Sequence, residues 1–79
     1  MSHDCFPPLE LPAIDQSLLV RGCQVQTRYF FADSLPGSKS TVVRTRNSPQ
    51  GVWVRCNFGK NQGGHSLLKW MCADALAQA

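Results

Sequence analysis

The run Val52-Trp53-Val54-Arg55-Cys56-Asn57-Phe58 constrains this chain more than any other stretch. Its apolar residues recur at a period of two, and turn-forming clusters at Asn47–Gly51 and Gly59–Gly64 bracket it. Period two means one buried and one open face of a strand, so this segment excludes a helical centre. Two partners precede it. Residues 20–31 are rich in β-branched and aromatic types, and Thr41 to about Arg46 reads as a second strand. Asp33–Ser40 contains Pro36-Gly37, the chemistry of a tight turn, and Asn47-Ser48-Pro49-Gln50-Gly51 supplies the next connection. Links this short join antiparallel neighbours, so the expected unit is a three-stranded meander.

Beyond the Gly59–Gly64 break, the Leu, Ala and Met content predicts a helix from Leu67 to about Ala77, capped by Ser66 or His65. At 100° per residue Leu68, Met71, Cys72 and Ala75 form its apolar stripe. The expected fold class is therefore α+β: a three-stranded antiparallel β-meander packed on one C-terminal α-helix, in the order β-β-β-α. Residues 1–17, with Pro7, Pro8 and Pro12, read as an irregular leader, and residues 18–79 as one small domain. A short helical turn from Ala13 to Leu19 is expected after Pro12.

Charge divides along the same boundary. The chain of 79 residues carries a formal +3, but residues 1–20 hold Asp4, Glu10 and Asp15 and no basic residue. All eight Lys and Arg lie beyond residue 20, six of them between residues 28 and 60 against Asp33 alone. A basic body with an acidic leader points to a polyanionic partner. The apolar runs fall far short of the ~20 residues that cross a bilayer, so no membrane contact is expected. The N-terminus lacks a secretory signal pattern, and a cytoplasmic location is expected.

Cys5, Cys23, Cys56 and Cys72 form no C-x-x-C pair. The reading adopted is three small apolar core residues and one leader thiol, with no metal or cofactor. The alternative is a zinc site using Cys23, Cys56 or Cys72 with His3 or His65. No local motif places a nucleophile, a base and an oxyanion donor together, so no catalytic residue is assigned and the chain is not expected to be an enzyme.

Strand parity leaves an open face bearing Arg28, Phe30, Arg44, Arg46, Trp53, Arg55 and Asn57, together with Gln26. Arginine forks bind phosphates and guanine edges, Asn reads adenine, and aromatic rings stack on unpaired bases. Lys60, in the Gly-rich loop before the expected helix, adds a backbone contact. Lys60 and the seven face residues other than Gln26 are the candidate binding site, eight in all, with DNA placed ahead of RNA. Trp70 reads as an edge-of-core residue.

In architecture this arrangement resembles the three-stranded-sheet-plus-helix DNA-binding domains of some phage integrases and plant ethylene-response factors. That resemblance covers residues 20–77 as a topology and implies groove contact by Arg and Trp from the sheet. A second reading comes from size and style, which resemble accessory products of phages and mobile elements, including anti-CRISPR proteins. It implies a protein-binding inhibitor or adaptor docking on an acidic or nucleic-acid-handling protein surface. Homodimerisation through the sheet is a third reading.

Overall fold

The computed structural model describes residues 8–79, so expectations resting on His3, Asp4, Cys5 or Pro7 lie outside the described residues. Five strands form the fold: β1 (Gln24–Thr27), β2 (Lys39–Ser48), β3 (Gly51–Lys60), β4 (Ser66–Cys72) and β5 (Leu76–Gln78). They make a single antiparallel sheet in the order β4-β3-β2-β1-β5. The central meander is present as expected, with Ser48 paired to Gly51 across a tight turn at Pro49-Gln50. Pro49 presets φ for the turn, and Gly51 takes φ 123°, a value that L side chains rarely adopt.

The C-terminal helix is absent, and the α+β assignment is corrected to an all-strand fold. Leu67–Ala77 instead splits into β4, a 3-10 turn at Ala73–Ala75, and β5. Leu67–Ala77 is short, and an isolated helix of that length is marginal in water even with good propensity. Pairing with β3 in register, Val54 to Met71 and Arg55 to Trp70, satisfies its backbone and buries Met71 completely. Strand context thus overrides the Leu and Ala propensity. The hairpin before β4 is closed by Asn61, whose side-chain oxygen accepts from the Gly63 and His65 N–H groups. Without a helix behind it, that loop has no helix dipole to offer a phosphate. The likeness to integrase and ethylene-response-factor domains rested on the helix and lapses with it.

Curling replaces the missing layer. Flat, the outer strands of five would lie about 19 Å apart at 4.7–4.9 Å per step. Yet Cys72, the last residue of β4, is separated from Leu76, the first of β5, by three residues in a 3-10 turn, which rises only about 2 Å per residue. The sheet must bend to bring its two edges together, and it encloses its own core. Val25, Val42, Val54, Cys56, Met71 and Leu76 are all almost fully buried there, and Ala73, Ile14 and Leu19 belong to the same cluster.

β2 is long enough to serve both halves, pairing with β1 through Lys39–Thr41 and with β3 through Thr41–Ser48. The register shifts between Val42 and Arg44, a bulge that bends the strand where it changes partners.

The first strand is shorter than residues 20–31. Beyond Thr27 the chain makes an excursion in which Phe31 bridges Ser34 across Ala32 and Asp33, both at positive φ (49° and 62°). The buried Thr27 hydroxyl holds its base, donating to the Leu35 carbonyl (2.6 Å) and accepting from the Ser38 N–H (3.0 Å). The described part of the leader lies along the body. The Leu9 N–H donates to the Arg28 carbonyl, the Ile14 N–H donates to the Leu76 carbonyl, and Ile14 is buried. The expected helical turn is a 3-10 turn at Gln16–Leu18, capped by the Asp15 carboxylate.

Candidate functional site

Cross-strand register assembles the open face of β2, β3 and β4. Arg44 stands opposite Arg55, Arg46 opposite Trp53, and Thr41 opposite Asn57. On the far side of β3, Arg55 faces Trp70, Trp53 faces Cys72, and Asn57 faces Leu68. Directly paired residues share a face, so these side chains form one surface.

The two bulges make this surface possible. Uninterrupted alternation would put Val42 on the same side as Arg44 and Arg46. The bulge at Val43 lets Val42 enter the core, where it pairs with Cys56, while both arginines stay outside. A second register shift lies between Asn57 and Lys60, with Gly59 at φ 102° and its N–H donating to the Asn57 side chain. It returns Lys60 to the open face, opposite Ser66.

Six of the eight expected site residues are therefore brought together: Arg44, Arg46, Trp53, Arg55, Asn57 and Lys60. Arg28 and Phe30 are not. Arg28 is half-buried under the leader, donating from Nε to the Leu11 carbonyl (2.8 Å) and from Nη1 to the Asp74 carbonyl (2.6 Å). Its Nη1 also lies 3.6 Å from the Asp74 carboxylate. That guanidinium ties leader to body. Phe30 is exposed in the β1–β2 excursion, off the three strands.

Two residues of the segment expected as a helix join this face. Trp70 and Leu68 lie on the open face of β4, 37% and 41% exposed. The Arg55 guanidinium sits 5.9 Å above the Trp70 ring, a cation–π pair. Leu67–Cys72 carries apolar residues at both parities, so period-two alternation gives no clear signal for β4. Lys69 points the other way, its ammonium donating to the Ala32 carbonyl and the Ser34 hydroxyl and lying 5.3 Å from the Phe58 ring.

Electrostatically the surface is one-sided. β2, β3 and β4 contain Lys39, Arg44, Arg46, Arg55, Lys60 and Lys69 and no carboxylate. Among the described residues, none of Arg44, Arg46 and Arg55 makes an ion pair. Like charges directly opposite one another on a sheet destabilise it, so Arg44 beside Arg55 is a standing cost without a counter-anion.

Two concavities mark the same surface. One, of about 350 Å³, is lined by Arg46, Asn47, Ser48, Pro49, Trp53 and Trp70. The other, of about 490 Å³, includes Arg21, Thr41, Asn57, Ser66 and Leu68. Phe31 packs against Trp53 at 6.2 Å between ring centroids, and Tyr29 against Phe31 at 6.4 Å. Burial, and then the Asp74 charge, push the Tyr29 phenol up, and burial pushes the Cys56 thiol up. Neither group lies on the open face. Among the described residues no three His, Cys, Asp or Glu side chains gather as metal ligands, and no helix is long and apolar enough to cross a membrane.

No protein-family model, curated protein or solved structure matches this chain. What the surface offers chemically is a row of planar cations bordered by two indoles.

Proposed function

We propose that this chain is a non-enzymatic nucleic-acid-binding protein, with DNA as the preferred polymer and the open face of β2–β4 as its contact surface. The observation that carries the reading is the Arg44–Arg55 register with Arg46–Trp53 beside it. Three arginines on adjacent strands have no carboxylate on any of those strands to pair with, and phosphates supply the missing anions. Arg44, Arg46 and Arg55 contact the backbone, Asn57 and Lys60 extend the track, and Trp53 with Trp70 contacts bases or sugars. The test is binding to a labelled duplex across a salt series. Three neutralised phosphates give a log–log slope of about −2.7, or about a 40-fold loss of affinity from 50 to 200 mM salt. Failure to retain either duplex or single-stranded DNA at low salt sinks the reading.

A protein partner is the second reading, and one observation favours it. β4 pairs only with β3 and is an edge strand carrying exposed Leu67, Leu68 and Trp70. Such an edge accepts an added strand from another protein. Capture of an acidic partner from lysate that survives nuclease treatment separates this from the first.

A further inference from the structure

We infer that the open face takes a single strand rather than a duplex, with one unstacked base held in the cleft between Trp53 and Trp70. This rests on the nucleic-acid reading above and specifies its substrate. In a duplex the bases present only their edges, and an aromatic-walled cleft gains nothing from them. An unpaired base exposes its whole π-face, and stacking on aromatic rings is sequence-tolerant. The cleft of about 350 Å³ matches that need: two indoles supply apolar walls, while Arg46 and the exposed Asn47 supply donors at its rim. Its volume sits at the lower end of the 300–1,000 Å³ usual for small-ligand pockets, the scale of one base and its sugar. Arg55, parked on the Trp70 ring, presents a flat cation beside the stack.

The rest of the face fits a strand passing along β3. Arg44 and Arg55 lie between the aromatic cleft and the more polar concavity at Arg21, Thr41 and Asn57. From Trp53 to Asn57 is four residues, about 14 Å of strand, so a backbone crossing both concavities passes over the arginine pair. The footprint is about four nucleotides, the short end of the range for sheet-based single-strand binders.

The experiment compares three fluorescein-labelled probes at low salt by anisotropy: an oligo(dT) eight-mer, a hairpin whose eight-base-pair stem stays paired at low salt, and an abasic eight-mer of the same charge as the oligo(dT). Tryptophan fluorescence is read in parallel with an unlabelled set. The expected result is oligo(dT) binding about tenfold tighter than either competitor, with indole quenching by oligo(dT) alone. Trp70→Ala lowers oligo(dT) affinity about tenfold and leaves the abasic strand unchanged, while Trp70→Phe recovers most of the loss. Trp70 is partly exposed, so both variants are checked for unchanged urea midpoints. Equal affinity for duplex and oligo(dT), or an abasic strand that binds as well as oligo(dT), overturns the inference while leaving the nucleic-acid reading standing. Absence of binding to all three overturns both.

Discussion

Neutralising Arg44 is expected to stabilise the fold while weakening the binding of polyanions. Arg44 and Arg55 are direct cross-strand partners, and Cβ atoms in such pairs lie 4.5–5.5 Å apart with long side chains splaying their charges to about 8 Å. In a water-like dielectric the repulsion is about 0.5 kcal/mol at that distance. At 0.15 M salt, where the Debye length is also about 8 Å, it falls to about 0.2 kcal/mol. Arg44→Gln keeps most of the aliphatic stem and removes the charge. It is therefore expected to gain about 0.5 kcal/mol at 10 mM salt, a rise of roughly 2–4 °C in Tm for a domain of this size. At physiological salt the gain shrinks to less than half. Arg44→Lys, which keeps the charge, is the control and is expected to match the parent. Urea unfolding followed by tryptophan fluorescence at three salt concentrations reads these differences. A parent chain more stable than Arg44→Gln at low salt, or a difference that does not shrink as salt rises, refutes the like-charge account. With it would go the physical basis for calling this face an anion site.

Two further outcomes concern the scaffold. Thr27→Val keeps the shape of a fully buried side chain but deletes its bonds to Leu35 and Ser38, so about 1–2 kcal/mol of stability is expected to be lost in a urea melt. The Cys56 thiol is pushed up by burial, so the unfolded chain releases that proton first as pH rises. Its contribution is fully present below the ordinary thiol value of about 8.5 and is lost as pH climbs through the folded value. Unfolding free energy is accordingly expected to drop between pH 8 and pH 10 by more in the parent than in Cys56→Ala, and parallel slopes would contradict that assignment.

Trp70 explains most of what the sequence conceals. Leu67–Ala77 satisfies a helical stripe and, read as a strand over its first half, carries apolar residues at both parities. Both readings bury Met71, so apolar periodicity does not choose between them. The choice is made by β3, which has an unpaired side in a three-stranded meander and whose hydrogen bonds are completed by β4. Arg28 went astray for a related reason. Continuing the first strand past Thr27 puts its guanidinium on the open face, whereas the excursion turns it toward Leu11 and Asp74.

What local sequence determines here is the period-two centre at Val52–Phe58, the turn at Pro49-Gln50, and the outward parity of Trp53, Arg55 and Asn57. Those follow from side-chain direction along one strand and from the φ preferences of Pro and Gly, which need no distant partner. The long-range pairings are decided only by the tertiary structure. They include the bulges at Val43 and Gly59 that keep Arg44, Arg46 and Lys60 on the same face as Arg55. They also include the short 3-10 turn that joins the two edges of the sheet. A bulge costs one residue of register and leaves almost no mark in composition, yet it flips every side chain beyond it. The basic face exists because one such flip falls beside the buried Val42 and the other at Gly59.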